Sequence, residues 1–155
     1  MIFLRFPILV RCCWFGLNHL FRVKISDLPL TTVQYTVLRT INNFGSKKLN
    51  QRTIATLIAT NKNNLSTIIK RLEEMKYIKI AVNSKDKRES QIKLSLSGKN
   101  IFRKSNKIAS DLQENVMSEF NEHEIKSLTN YLVRVNDSIT NSHSKSHEFR
   151  CAVIK

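Results

Sequence analysis

Residues 60 to 77 read TNKNNLSTIIKRLEEMKY. Leu65, Ile68, Ile69, Leu72 and Met75 recur at steps of three and four, the apolar stripe of a helix, so the residues between them face elsewhere. Those residues are Lys62, Asn63, Asn64, Ser66, Thr67, Lys70 and Arg71, with no carboxylate before Glu73. Amides and hydroxyls both donate and accept hydrogen bonds, whereas Lys and Arg donate only and carry full positive charge. Such a face can read base edges in the major groove while its cations hold phosphates, and an acid there would be repelled. Asn63 and Asn64 are suited to bidentate pairing with adenine, Ser66 and Thr67 to bases or phosphate, and Lys62, Lys70 and Arg71 to the backbone. The bland alternative is an ordinary solvated helix face.

Other chemistries find less support. His19 lies in an apolar stretch, His123 sits between Glu122 and Glu124, and His143 and His147 fall in a polar tail; none belongs to a nucleophile motif, so no enzymatic activity is expected. His143, His147 and Cys151, at i, i+4 and i+8, could ligate zinc only if the tail were helical, and no metal or other cofactor is expected. Three cysteines, the adjacent Cys12 and Cys13 plus Cys151, are an odd number without framework spacing. A reducing, cytoplasmic setting follows, with Cys12 and Cys13 read as buried thiols and a redox switch as the alternative.

Charge sharpens the picture. The chain has 155 residues, 26 Lys plus Arg against 12 Asp plus Glu, and a formal charge of +14, a balance that favours a polyanionic partner or an anionic membrane surface. The excess is regional: no acid occurs between Asp27 and Glu73, whereas Asp111, Glu114, Glu119, Glu122, Glu124, Asp137 and Glu148 all come late. The apolar start, MIFLRFPILVRCCWFGLNHLF, lacks a small-x-small cleavage site and holds Arg5, Pro7, Arg11 and Gly16. It reads as a helix from about Ile8 whose Leu9, Cys13, Leu17, Leu20 and Phe21 bury against a second chain or the distal helices, with membrane insertion as the rival.

The elements that must hold the polar face can be read in turn. TTVQYTVLRTINNFG carries Val33, Val37, Leu38 and Ile41 on one face and stops at Gly45. Asn50 can cap a short helix with Ile54, Ala55, Leu57 and Ile58 buried, and Thr60 and Asn61 connect it to the helix beginning at Lys62. Two short helices joined by a tight turn are helix-turn-helix grammar. After Met75 the period becomes 2, with Tyr77, Ile78 and Ile80, then the polar NSKDKRES, then Ile92, Leu94 and Leu96. This predicts a hairpin with Lys85, Asp86, Lys87 and Arg88 at its tip. Ser95 or Ser97 can cap a helix with Ile101, Phe102, Ile108, Leu112, Val116 and Phe120. A last helix carries Ile125, Leu128, Leu132, Val135 and Ile139, and a disordered tail is expected from Thr140. The predicted fold is mostly α with a small β-hairpin, in one domain over 1–139.

Four pieces in this order resemble the MarR (multiple antibiotic resistance regulator) family of bacterial winged-helix transcription factors. LTTVQYTVL resembles its Leu-Thr-x-x-Gln-aromatic signature at Leu30, Thr31, Gln34 and Tyr35. LNQRTIA resembles the turn into the first motif helix, NNLSTIIKRLEEMKYI the recognition helix, and DKRESQIKLSLSG the wing, with Asp86, Arg88, Ile92, Leu94, Ser95 and Gly98 in register. Lys76 stands where the family commonly has glycine and Ser95 where it usually has threonine. The N-terminal helix is short and cysteine-rich.

The resemblance implies a winged helix-turn-helix over about 30–98 and dimerisation helices over about 8–23 and 102–139. It implies that Arg88 enters a minor groove with its guanidinium oriented by Asp86, and that Gln51 and Arg52 meet the DNA backbone. Asn63, Asn64 and Arg88 together suggest an A·T-rich operator. The expected protein is a homodimer on a pseudo-palindromic operator of double-stranded DNA, a repressor released by a small aromatic or lipophilic effector. A nonspecific architectural protein, or a redox-sensing regulator acting through Cys12 and Cys13, are the alternatives.

Overall fold

The computed structural model describes residues 5–44, 49–81 and 91–142. In chain order they form α1 (Phe6–Lys24), α2 (Thr32–Phe44), α3 (Gln51–Leu57), α4 (Lys62–Glu74), β1 (Ile78–Ala81), β2 (Gln91–Leu94), α5 (Leu96–Met117) and α6 (Glu122–Ser142). The mostly helical fold with one hairpin is the one expected.

The central element is α2, which packs on α1, α3, α4, α5 and β2. It starts with a reciprocal cap: the Gln34 N–H donates to Thr31 Oγ1 at 3.2 Å, and the Thr31 N–H donates to Gln34 Oε1 at 2.9 Å. The Thr-x-x-Gln signature thereby gains a physical meaning, since it satisfies two backbone donors at the helix start. Tyr35, next in line, pins three helices together. Its ring meets Phe21 of α1 edge-on at 4.8 Å and stacks with Phe102 of α5 at 6.1 Å, and its hydroxyl donates to Asn106 Oδ1 at 3.0 Å. Val33 departs from expectation at 48% exposed, because Gln34 and Tyr35 take the covered positions of the first turn.

The hairpin pairs Ile78 with Leu94 and Ile80 with Ile92, which sets these apolar residues on one face and Lys79 opposite Lys93 on the other. The Ile92 N–H also donates to the Leu49 carbonyl at 3.0 Å, tying β2 to the segment that enters α3. Leu96 is not the strand residue its alternation suggested. Ser95 caps α5 by accepting the Gly98 N–H at 2.9 Å, so the chain turns helical at Leu96 and leaves it 77% exposed. Gly98 is required by close approach, since a Cβ there would lie 1.8 Å from the Tyr77 carbonyl oxygen.

α1 begins at Phe6 rather than Ile8, with Pro7 in its first turn, where a missing N–H costs nothing. Of its expected buried set only Phe21 is covered; Leu9, Cys13, Leu17 and Leu20 are exposed in the single chain, because the helix meets the core at its C-terminal end alone. α5 divides along its length. Ile101, Phe102 and Leu112 are buried and Ile108 and Val116 packed in this chain's own core, whereas Phe120, expected in the same helix, lies past its end at Met117 and is exposed. α6 opens with a second reciprocal cap between Asn121 and Glu124, at 3.0 and 2.9 Å, and among its residues 122–141 none is buried within the chain. It runs to Ser142, past the expected start of the tail at Thr140; from residue 143 on, the tail lies outside the described residues.

Candidate nucleic-acid interface

Two asparagines start the helix pair. Asn50 Oδ1 accepts the Thr53 N–H at 2.8 Å and the Thr53 hydroxyl at 3.0 Å, and Asn61 Oδ1 accepts the Asn64 N–H at 2.8 Å. The turn between them is fixed by the end of α3. There the Thr60 N–H donates to the Ala55 carbonyl at 3.0 Å and the Ala59 N–H to Thr56 at 3.3 Å, with Ala59 held at φ 53°. This is a Schellman closure with alanine in the position glycine usually takes. Ile54 and Ala55 of α3 and Leu65, Ile69 and Leu72 of α4 are buried together in the core, so α4 cannot rotate about its axis without exposing aliphatic surface.

With those three residues inward, Asn63, Thr67 and Lys70 form an outward row at i, i+4 and i+7, flanked by Lys62, Asn64 and Arg71, and all six are exposed. Ser66 differs from its neighbours. It is half-buried, and its hydroxyl points to the Lys62 carbonyl at 2.9 Å and Gln51 Oε1 at 3.3 Å, so it ties α4 to α3. Gln51 is correspondingly half-buried while Arg52 is exposed. Arg71 pairs with Glu74 at 3.3 Å across exposed surface. Among the described residues, Lys62 and Lys70 have no carboxylate partner. Lys85, Asp86, Lys87 and Arg88 lie outside the described residues.

The end of α4 is held as firmly as its start. The Tyr77 N–H donates to Leu72 at 2.9 Å and the Lys76 N–H to Glu73 at 2.8 Å, a second Schellman closure, with Lys76 at φ 59°. This is the position where a glycine was expected to be easier. The Lys76 carbonyl accepts hydrogen bonds from both Ser95 and Ser97 hydroxyls, each at 2.6 Å, and Gln34 Nε2 contacts Met75 Sδ at 4.0 Å. α2, α4, β2 and α5 therefore meet at one joint behind the outward row. Sequence reasoning passed over Lys79 and Lys93 as solvent positions of the hairpin; the strand alternation was the available signal, but their juxtaposition needs the register.

Cys12 and Cys13 are free and exposed in the single chain, contrary to the buried-thiol reading, for the same reason that most of α1 is exposed. Among the described residues no group of three or more His, Cys, Asp and Glu side chains could hold a metal ion; His143, His147 and Cys151 lie outside them. No described helix is long and apolar enough to cross a membrane.

A helix-turn-helix with a hairpin following its second helix is the winged-helix class of nucleic-acid-binding fold. Residues 26–89 match the model of the MarR family. Its fold is similar to that of S. aureus MepR in a complex with DNA (TM-score 0.80, 20% identity, covering 90% of this chain and 99% of that one). It is also similar to the transcriptional regulator SlyA (TM-score 0.79, 23% identity, 89% and 96%) and to a mutant of E. coli MarR complexed with operator DNA (TM-score 0.75, 19% identity, 85% and 94%). No curated protein sequence matches the chain.

Proposed function

We propose that the chain is a DNA-binding regulator of the MarR family that acts as a homodimer on a pseudo-palindromic operator, with α4 of each protomer in a major groove, and represses transcription until a small aromatic or lipophilic effector releases it. The observation that carries the reading is the outward row Asn63, Thr67 and Lys70, flanked by Lys62, Asn64 and Arg71, on a helix whose opposite face is locked by Leu65, Ile69 and Leu72. Asn63 and Thr67 are the central candidates for base edges, and Lys70, Arg71 and Arg52 for phosphates. Ser66 serves through Gln51 as a spacer that sets the α3–α4 distance rather than as a reader. From the sequence alone, Arg88, oriented by Asp86 and accompanied by Lys85 and Lys87, is assigned to the adjacent minor groove.

The dimer is supported by unpartnered apolar surface. Trp14, Phe15, Leu17 and Leu20 of α1, and Tyr131, Leu132 and Ile139 of α6, are exposed in the single chain, and large apolar side chains grouped on a helix mark an interaction surface. MepR and MarR are crystallised on DNA, which favours a duplex partner here; the cytoplasm is the compartment where such a partner is met.

Selection of bound duplexes from a random pool tests the reading. An inverted repeat with half-sites about one helical turn apart is expected, whereas no enrichment would favour an architectural, sequence-indifferent protein. Lys70→Ala should weaken binding to all sequences and lower the salt slope by about 1, whereas Arg88→Ala should relax preference beside each half-site. Equal effects from the two would overturn the assigned roles.

A further inference from the structure

We propose that Lys79 and Lys93 form a two-ammonium rung at the root of the wing that grips a duplex phosphate, a contact separate from both the recognition helix and the wing tip. The inference rests on the duplex-binding reading above. The hairpin register places the two lysines directly opposite one another on adjacent strands, with both side chains exposed on the face away from Ile78, Ile80, Ile92 and Leu94. Directly opposed residues of an antiparallel pair have Cβ atoms about 5 Å apart, and like charges there work against the pairing. Among the described residues the ion pairs are Arg71–Glu74 and Lys126–Glu122, so neither lysine has a carboxylate partner.

The strands themselves do not require cations at these positions. Both sites face solvent, where Thr, Gln or an opposite-charge pair would support the ladder better. A short two-stranded hairpin has little stability to spare, and a repulsive rung near its root is therefore a cost that a bound anion would remove. The location fits a phosphate. β1 follows α4 after Met75, Lys76 and Tyr77, and that connection is clamped at the Lys76 carbonyl by Ser95 and Ser97. The rung is thus fixed relative to the helix assigned to the groove, rather than carried on a freely moving arm. Two ammonium groups about 5 Å apart at their roots can converge on one phosphate and release its condensed counterions. Such a contact carries no sequence information and should act equally on every duplex.

The test uses the full chain, a long mixed-sequence duplex and three variants, Lys79→Gln, Lys93→Gln and the double, with Lys126→Gln on α6 as control. Two readouts of opposite sign are expected. Each substitution in the rung should lower the slope of log K against log salt by part of the roughly 0.9 that one neutralised phosphate contributes, while raising the Tm of the free protein by about 1–2 °C because the like-charge pair is relieved. The double variant should lose the full 0.9 or so of that one phosphate but gain little further Tm. Lys126→Gln should leave the slope unchanged. A wild-type slope in the rung variants would overturn the proposal, and so would a fall in Tm, which would mean that the lysines support the hairpin rather than strain it. These outcomes differ from failure of the underlying reading, in which the wild-type chain itself would show no salt-dependent binding to any duplex.

Discussion

Lys76 is the residue at which local backbone preference and tertiary demand conflict most openly. A left-handed conformation costs an ordinary L-residue roughly 1–2 kcal/mol, of which glycine's greater freedom in the unfolded chain gives back about half. The conformation persists because the Schellman closure and the Ser95 and Ser97 hydroxyls leave the chain no other route from α4 into β1. Lys76→Gly should therefore raise stability by about 0.5–1 kcal/mol in urea unfolding; a loss would show that the lysine side chain makes a compensating contact. Tyr35 supplies a pH signature. Burial raises its phenol above the usual 10.0, and the nearby Arg39 guanidinium pulls the other way without cancelling the rise. A folded pKa above the unfolded one means that the native state holds the phenolic proton more tightly. This contribution is complete below pH 10 and is lost as pH climbs from there through the raised folded value. Phenolate absorbance should reveal one tyrosine titrating late, and Tyr35→Phe should abolish that late step.

At the scale of elements, the two motif helices are short, and a helix of 7 residues such as α3 has almost no stability of its own. Their caps matter accordingly. Asn61→Ala removes the acceptor for the Asn64 N–H and should cost about 1 kcal/mol. Because the frayed turn carries Lys62, Asn63 and Asn64, duplex affinity should fall several-fold further than after Asn121→Ala, which removes an equivalent cap from α6. Equal losses of affinity in a binding titration would mean that the first turn of α4 does not face the duplex.

For the whole molecule, the exposed apolar faces of α1 and α6 and the exposed Phe120 between α5 and α6 predict that folding and association are one process. The urea midpoint should then rise with protein concentration, and sedimentation at micromolar concentration should give twice the mass of the 18.0 kDa chain. A concentration-independent midpoint together with a monomeric sediment would count against the dimer. Cys13 lies on the same exposed helix, so its reactivity toward a thiol reagent should drop on association if α1 is covered.

Periodicity and capping residues were enough to read the element order, because helices and strands announce themselves through short-range spacing. Leu65, Ile69 and Leu72 orient the polar face of α4 by their spacing alone, and Asn50, Asn61 and Ser95 mark helix starts by residue type. What spacing cannot convey is which apolar residue meets which partner. Val33 and Leu96 fit the local pattern yet lie exposed, while Ser66 fits the reading face yet is tied to Gln51. The opposition of Lys79 and Lys93 and the shared acceptor at Lys76 exist only once strands pair and helix ends converge. Local sequence sets the period of each element because neighbouring side chains share a backbone geometry. Register, burial and the meeting of charges depend on residues tens of positions apart, and only the packed core decides those.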